Sequence, residues 1–306
     1  MTTSRVGTDC SGIEAPIQAL KNLGIKYSHE FSSELDKYVI KSIKANYNPK
    51  IIYGDMTTRN HSELPDIDLY VCGFPCQSFS LAGSKRGLDD PRGKIFFHCV
   101  ATIKAKQPKY FVLENVKGLL TLQGGEIFRE MLKIFDKSLR NYKIYWKILN
   151  TKDYGIPQNR ERLFIVGIRE SKTPFVWPDP LQLTERELER KLIECIDFSD
   201  TCAVPIPTTR RELFERIPNN SKFINMCFSK ASFIASGIVS PCLTTSGSWC
   251  VPLHRYANVK EYLALQGFPT DFKQVVSDTQ LKKQIGNSIS VCILEKIFQN
   301  LLKSQI

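Results

Sequence analysis

The sequence predicts an α/β fold with a doubly wound, mostly parallel sheet and a second, smaller domain of irregular structure. Two observations predict this fold class. In the first half of the 306-residue chain, short apolar runs alternate with amphipathic stretches, which is typical of parallel strands joined by helices. After Pro174 the alternation degrades and prolines interrupt the chain, as they do in irregular segments. We therefore predict a large domain over 1–177 and 256–306, with the smaller domain over 178–255.

Each element of this fold is predicted from a local pattern. Seven short apolar runs are predicted strands: Ser4–Asp9, His29–Ser32, Ile51–Tyr53, Asp68–Cys72, Lys109–Leu113, Lys143–Leu149 and Arg162–Ile168. Apolar residues at three-and-four spacing or helix-start residues predict five helices: Ala15–Leu23, Asp36–Asn46, Gly93–Lys104, Ile127–Leu139 and Thr184–Ile196. The helical pattern returns near Lys260, and Gln284–Leu302 is predicted to be a loop followed by a closing helix.

The bulk composition narrows the class of protein. The net charge of +11 favours a polyanionic partner such as nucleic acid, although a lysine-rich surface kept soluble by repulsion has the same charge. The ten cysteines show no zinc-type spacing, so we expect no metal site. The first residues lack the apolar core of a signal peptide, and no apolar run approaches the roughly 20 residues of a membrane span. We expect a monomer with reduced thiols, cytoplasmic or nuclear, without membrane contact.

Three polar positions follow the first three predicted strands. The turn Asp9–Glu14 lies between a strand and a helix, where doubly wound folds bind nucleotide cofactors. Glu34 lies about 20 residues beyond that turn, where an acid commonly binds ribose hydroxyls. Asp55 follows the third strand. Each position alone is also compatible with an ordinary turn or a solvated acid, but together they indicate a cofactor site.

A more specific signal follows the fourth predicted strand. Cys76 comes directly after Pro75, whose ring restricts both its own backbone and that of Phe74 and so holds the thiol rigidly. A lone cysteine is otherwise most often a small buried residue. The following segment, 83–93, is rich in glycine and in basic residues, which suits a loop that closes over a phosphate backbone.

Two further segments supply acid and cationic groups. Glu114 ends the fifth predicted strand, where a carboxylate beside a reactive thiol can perform acid catalysis on a bound base; a surface acid is the alternative. Arg160 and Arg162 are spaced by two and would face the same side of an extended chain. They could hold a phosphate or a flipped base, or form salt bridges.

In order along the chain, these segments resemble the motifs of the cytosine-C5 DNA methyltransferase family, and the resemblance covers nearly the whole sequence. The segments that carry it are Pro75-Cys76-Gln77, Glu114-Asn115-Val116, Gln158 with Arg160 and Arg162, Leu265-Gln266-Gly267-Phe268-Pro269, and Gln284-Ile285-Gly286-Asn287-Ser288. Three positions depart from the family pattern. Cys10 and Glu14 replace an aromatic residue and a glycine in the first turn, and Leu35 replaces the aromatic residue that commonly follows the ribose-binding acid.

The resemblance implies a Rossmann-like fold, S-adenosylmethionine as the cofactor, and double-stranded DNA as the partner, as in restriction-modification systems. It implies three sets of site residues. The catalytic set is Cys76, Glu114, Arg160 and Arg162. The cofactor set is Cys10, Ser11, Gly12, Ile13, Glu34, Leu35, Asp55, Met56, Pro75, Asn287 and Ser288. The nucleic-acid set combines the catalytic-loop segment, the basic segment 83–93 and two arginines of the smaller domain. Its members are Gln77, Ser80, Lys85, Arg86, Arg92, Arg210 and Arg211.

The mechanism implied is nucleophilic catalysis on a cytosine flipped out of the duplex. The Cys76 thiolate attacks C6, and the resulting enamine-like adduct accepts a methyl group at C5. Glu114 stabilises the ring at N3, and Arg162 holds the O2 side.

Three alternatives remain at this point. The first is an RNA cytosine methyltransferase, because Cys227-Phe228-Ser229 is loosely similar to a motif of that branch, although it lacks the more typical Cys-Phe-Thr. The second is a binding protein without catalysis, which the intact catalytic residues argue against. The third is a nucleotide-dependent oxidoreductase, which the absence of a full Gly-x-Gly-x-x-Gly turn argues against.

Overall fold

The computed structural model describes residues 3–75, 94–207, 211–215, 217, 220–226, 235–244 and 247–302. In chain order, the strands are β1 (Ser4–Asp9), β2 (Tyr27–Ser33), β3 (Ile51–Tyr53), β4 (Leu69–Gly73), β5 (Tyr110–Val116), β6 (Tyr142–Asn150), β7 (Gln158–Asn159), β8 (Glu161–Arg169), β9 (Phe223–Asn225), β10 (Ala235–Ser236), β11 (Ser240–Pro241), β12 (Ser248–Cys250) and β13 (Arg255–Tyr256). The helices are α1 (Ala15–Asn22), α2 (Lys37–Asn46), α3 (Lys94–Lys106), α4 (Glu126–Ser138), α5 (Glu185–Glu194), α6 (Arg211–Phe214), α7 (Val259–Gln266), α8 (Asp278–Asn287) and α9 (Val291–Leu301).

The chain divides into two units. The first comprises Met1–Leu149, Glu161–Pro178 and Ile297–Ile306, and the second comprises Asn150–Arg160 and Asp179–Lys296. The first unit is built on a seven-stranded sheet in the order β3-β2-β1-β4-β5-β8-β6. Strands β1 to β5 pair in parallel, and β8 runs antiparallel to β5. The predicted α/β class with a mostly parallel sheet is confirmed.

The central strands are apolar because helices leave little of the sheet open to solvent. Strand β4 is buried along its first four residues and β5 along its first six, as expected for parallel strands covered on both faces. Rings pack against one face, with centroid distances of 5.2 Å for Phe96–Phe135, 6.0 Å for Phe111–Phe135 and 5.4 Å for Phe111–Tyr142. On β8, Gly167 faces the Phe111 ring, and an added Cβ there would lie 2.0 Å from that ring. Only glycine permits this approach.

The second unit contains a four-stranded antiparallel sheet in the order β10-β9-β12-β13 and a short parallel pair of β7 with β11. Helix α5 begins with a reciprocal capping box between Thr184 and Glu187, in agreement with the predicted helix. Trp249 on β12 is fully buried and packs edge-on against Phe214 and Tyr256. The single large ring thus anchors the small sheet.

The prediction for Gln284–Leu302 needs a correction. Gln284 to Asn287 form the last turn of α8, which begins after the cap Ser277, and Ser288 caps the C-terminal end of this helix. Neither Asn287 nor Ser288 occupies the position directly before the following helix, which begins at Val291. Gly286 lies within this helix and permits close packing, because an added Cβ would lie 3.0 Å from the Thr244 carbonyl oxygen.

Within the described ranges, no helix is long and apolar enough to cross a membrane, and no group of three or more His, Cys, Asp or Glu side chains is placed to hold a metal ion. The eight cysteines within those ranges are thiols rather than disulfides.

Candidate active site

The parallel strands of the first unit end at one edge of the sheet, and the candidate residues of that unit lie along it. The register pairs Asp9 at the end of β1 with Ser33 of β2 and with Cys72 of β4. It also pairs Gly73 of β4 with Glu114 of β5. The carboxyl edge of such a sheet is where ligands bind in open α/β folds.

The turn after β1 has an unusual backbone. Cys10, Gly12 and Glu14 all adopt left-handed conformations, with φ of 47°, 51° and 61°. Ser11 ties the turn to β2, because its amide donates to the Ser33 carbonyl at 3.1 Å and its Oγ accepts from the Ser33 amide at 3.0 Å. An added Cβ on Gly12 would meet nothing within 4 Å, so the turn is open on that side.

The contacts of the Glu14 side chain show how this turn accommodates a residue other than glycine at the position where the family has glycine. A non-glycine residue in the left-handed region costs roughly 1 kcal/mol. The buried Glu14 carboxylate accepts hydrogen bonds from Thr8 Oγ1 at 2.8 Å and Ser32 Oγ at 2.6 Å, and it lies 3.5 Å from His29 Nε2. These contacts join β1, β2 and the start of α1 through one carboxylate oxygen. Sequence reasoning noted the departure at Glu14 but had no signal for this network.

Glu34 and Leu35 lie at the end of β2. The Glu34 carboxylate accepts three backbone amide hydrogen bonds, from Gly12 at 3.1 Å, Leu35 at 2.8 Å and Asp36 at 3.1 Å. The acid is therefore held beside the turn before any ligand binds. The Leu35 side chain is 70% exposed, which leaves an apolar surface next to the acid.

Asp55 lies in the loop after β3, and its carboxylate accepts from the Thr57 amide at 2.8 Å. Hydrogen bonds from the Thr57 backbone and side chain hold the pKa of Asp55 below its ordinary value. The side chains of two predicted cofactor residues, Ile13 and Met56, are buried in the core, so these residues would reach a ligand through their backbone atoms.

These residues fit S-adenosylmethionine. Ribose hydroxyls need fixed carboxylate acceptors, which Glu34 provides, and an adenine ring needs an exposed apolar partner, which Leu35 provides. The open side of Gly12 leaves space for close approach of a ligand to the backbone.

The strand leading to the candidate nucleophile is held by its neighbour. Asn115 Nδ2 on β5 donates to the Phe74 carbonyl at 2.9 Å, which fixes the backbone immediately before Pro75. The sequence pattern included Asn115 in a motif without assigning this role. Seven predicted site residues lie outside the described residues: Cys76, Gln77, Ser80, Lys85, Arg86, Arg92 and Arg210.

Glu114 and Arg162 form an ion pair at the same edge. Arg162 Nε lies 3.2 Å from Glu114 Oε1, with the two side chains 17% and 11% exposed. Antiparallel pairing of β5 with β8 places Arg162 opposite Val116 and so beside the end of β5. The acid is therefore not a solvated surface group, which was the alternative for Glu114.

Arg160 requires a correction. Its buried guanidinium donates to the carbonyls of Leu243 at 3.3 Å, Gly286 at 3.1 Å and Ser288 at 2.7 Å. These contacts give it a structural role within the second unit rather than a role at a substrate. The expectation that Arg160 and Arg162 face the same side assumed one continuous strand. Strand β7 ends at Asn159 and β8 begins at Glu161, so Arg160 falls at the break.

The remaining described candidates lie in the second unit. Gln158 is also structural, since its Nε2 donates to the Leu265 carbonyl at 2.6 Å and its Oε1 accepts from the Leu243 amide at 3.0 Å. Asn287 is exposed at the last position of α8, whereas Ser288 is buried. Arg211 begins α6 and is exposed.

A mostly parallel sheet with a strained turn after β1 and an acid after β2 defines an S-adenosylmethionine-dependent methyltransferase fold. Comparison with known proteins is more specific: the family model described as C-5 cytosine-specific DNA methylase matches residues 9–221 and 250–303. The chain belongs to this family.

Individual relatives agree with this assignment. The chain is 38% identical to the Type II methyltransferase M.NgoBI of Neisseria gonorrhoeae, over 87% of this chain and 83% of that protein. It is 36% identical to the Type II methyltransferase M.HaeII of Haemophilus aegyptius, over 90% and 86%. Among solved structures, the Dnmt2 methyltransferase of S. pombe matches with a TM-score of 0.74 at 19% identity, over 98% of this chain and 99% of that one. The last comparison supports the fold alone.

Proposed function

We propose that the protein transfers a methyl group from S-adenosylmethionine to C5 of a cytosine flipped out of duplex DNA, with Cys76 as the covalent nucleophile. The observation that carries the proposal is the Glu114–Arg162 ion pair. It lies at the end of β5, beside the strand that leads into Pro75 and Cys76. The same edge carries the turn at Gly12 and the amide-held Glu34.

When bound, S-adenosylmethionine would supply the electrophilic methyl group, with its S–CH3 bond breaking so that S-adenosylhomocysteine leaves. Glu34 and Asp55 would hold its ribose and base, and Leu35 would contact the adenine ring. From the family resemblance we propose that Asn287 and Ser288 also belong to the cofactor-binding residues. The family membership of the chain supports the choice of cofactor.

The nucleophilic step is assigned to Cys76. Its thiolate forms a bond to cytosine C6, the C5–C6 π electrons move onto C5, and C5 takes the methyl group. A base then removes the C5 proton, the C6–S bond breaks, and the thiolate leaves with its electron pair. Because the target carbon is inaccessible in a stacked duplex, the cytosine must first be flipped.

Glu114 is assigned to the ring nitrogen N3. Acid catalysis or a shared proton at N3 stabilises the negative charge that develops when sulfur adds to C6. Arg162 keeps the carboxylate in one orientation through the contact at 3.2 Å, and it is proposed to hold the O2 side of the base. The fixed pair avoids reorganisation during the reaction.

We assign target recognition to the segment 178–255. The net charge of +11 supports binding to a polyanion. The proposed DNA contacts are Gln77, Ser80, Lys85, Arg86, Arg92, Arg210 and Arg211. Relatives described as Type II methyltransferases support a place in restriction-modification, and we propose a cytoplasmic monomer.

The experiment combines methyl transfer with covalent trapping. Duplex DNA and RNA are each incubated with cofactor labelled in the methyl group, and DNA containing 5-fluorocytosine is used to trap the adduct, since fluorine does not leave as a proton does. We expect methylation of DNA and trapping of the parent protein. Cys202→Ser is the matched control, because Cys202 is an exposed thiol of the described chain, and it should be trapped normally. Trapping of Cys76→Ser at the parental level, or transfer to RNA alone, would overturn the proposal.

A further inference from the structure

Arg59, which no sequence motif singled out, has a buried guanidinium at the candidate cofactor edge. Its side chain is 8% exposed, and it forms a two-pronged ion pair with Asp9, whose side chain is fully buried. It also donates to Ser33 Oγ and, at 3.2 Å, to Thr102 Oγ1. Asp9 in addition accepts from the Tyr70 hydroxyl at 2.7 Å. One guanidinium thus joins the ends of β1 and β2 to α3.

The position of Arg59 in the chain links its ion pair with Asp9 to the placement of Asp55. Arg59 belongs to the loop after β3, four residues beyond Asp55. Its guanidinium carbon lies 5.4 Å from the centre of the Phe31 ring and 5.6 Å from that of Tyr53, distances typical of cation–π contacts. The loop that carries Asp55 is therefore anchored to the same strand ends that carry the Gly12 turn and Glu34.

Stability alone is a poor explanation for such a pair. Removing two charges from water costs about as much as their attraction returns, so a buried ion pair is often no more stabilising than an apolar pair of similar size. The ion pair instead fixes one geometry, because the planar guanidinium can donate to the carboxylate and to the hydroxyl groups at the same time in only one arrangement.

We propose that Arg59 is a positioning residue for the cofactor. It holds Asp55 at a fixed distance from Glu34 by clamping the loop after β3 to the ends of β1 and β2. This inference rests on the proposed use of S-adenosylmethionine. Arg59 acts through Asp55 and the turn rather than by touching the reacting atoms.

The test removes both charges together. In the double variant Arg59→Met/Asp9→Leu no charge is left buried without a partner, and the buried Tyr70 hydroxyl loses its acceptor, so the melting temperature of the cofactor-free protein should fall by only a few degrees. We expect calorimetric titration to show a dissociation constant for S-adenosylmethionine raised about tenfold, because small displacements of binding groups are costly. In turnover assays the KM for the cofactor should rise while kcat at saturating cofactor stays close to that of the parent, a split that loss of structure alone would not produce.

The matched control is a second arginine–aspartate pair, of which one member, Arg5, lies on β1, the strand that ends in Asp9. Arg5 donates to Asp68 from Nε at 3.0 Å and from Nη2 at 2.9 Å, at the start of β1 and with both side chains well exposed. The variant Arg5→Met/Asp68→Leu should bind the cofactor as the parent does. Parental affinity in Arg59→Met/Asp9→Leu would overturn the inference.

A conservative single variant tests the inference if the double variant does not fold. Arg59→Lys retains the charge near Asp9 but loses the planar set of donors, so we expect weaker cofactor binding at an unchanged melting temperature. Parental affinity in that variant would overturn the inference equally. The parent protein separates the two proposals: if it binds no S-adenosylmethionine, the proposed function itself is wrong, whereas binding that no variant alters overturns the role of Arg59 alone.

Discussion

The chemistry of the candidate site depends on carboxylates that differ in their surroundings. Glu14 is buried among hydroxyl groups and holds the turn together, Glu34 is held by three amides, and Glu114 is paired with Arg162. We propose that the same side chain serves packing, binding and catalysis at these three positions, because its neighbours decide which of its oxygens are engaged. Only Glu114 lies beside the strand that leads to the nucleophile.

At the residue scale, Glu114→Gln should impair chemistry far more than cofactor binding. An amide can still form hydrogen bonds, but it cannot supply a proton to N3, so we expect kcat to fall by about 10²-fold or more. The dissociation constant for S-adenosylmethionine should remain close to that of the parent in a calorimetric titration.

Glu161→Gln is the control for this substitution. Glu161 begins β8, and its exposed carboxylate pairs with Lys117 at 2.9 Å. The same chemical change there should leave turnover unaltered. Near-parental kcat in Glu114→Gln would remove this residue from the mechanism.

At the scale of elements, a polar junction joins α7 to the segment after α5 in the second unit. Arg255 donates to both oxygens of the buried Glu261 at 2.9 Å. Asn258, the cap of α7, donates to Asp197 at 3.0 Å and Asp200 at 3.1 Å. The helix start is thus fastened by three carboxylates, those of Asp197, Asp200 and Glu261.

This junction predicts an acid-sensitive contribution to stability. Hydrogen bonds from Ser199, Asn258 and Lys260 lower the pKa of Asp197 to about 2, from an ordinary 3.8. Between these values the folded protein binds fewer protons than the unfolded chain, so the stabilisation is present above about pH 4 and is lost as the pH falls towards 2.

Asp197→Asn should therefore reduce the dependence of unfolding free energy on pH between about 4 and 2, and lower stability at neutral pH. Urea unfolding at a series of pH values measures both effects. Asp271→Asn, at an exposed carboxylate, serves as the control and should leave the profile unchanged. A profile for Asp197→Asn that superimposes on that of the parent would show that these hydrogen bonds do not form in solution.

At the scale of the whole molecule, the net charge of +11 raises affinity for any polyanion without distinguishing one sequence from another. Sequence recognition needs particular side chains at base edges, whereas contacts to phosphate fix position. Arg210 and Arg211 lie in the proposed recognition segment, and Arg211 is exposed at the start of α6.

Alanine at both Arg210 and Arg211 should weaken DNA binding and flatten its dependence on salt. Each lost phosphate contact reduces the slope of log affinity against log salt by about 0.9. The control Lys133→Ala/Lys137→Ala removes the same charge from exposed positions on α4. Fluorescence anisotropy over a range of salt concentrations compares the variants. Equal slopes for both double variants would place DNA recognition outside this arginine pair.

The sequence by itself determined the class of fold and most of the elements of the large sheet. Strand β1 has the predicted bounds, and α1 and α2 agree with prediction to within one residue at each end, because hydrophobic periodicity and end signals are local properties of the chain. The positions of Glu34, Asp55 and Glu114 at one edge also followed from the sequence, since each lies just beyond the end of a predicted strand and parallel strands end together.

Only the tertiary structure decided the rest. It showed that β8 is antiparallel to β5, that Arg160 donates to backbone carbonyls whereas Arg162 pairs with Glu114, and that Arg59 joins the ends of β1 and β2 to α3. Each of these facts depends on residues far apart in the chain. Asp9 and Arg59 are fifty positions apart, and local patterns carry no information about which distant groups will meet. A buried polar side chain takes its role from those partners, because desolvation forces it to find them.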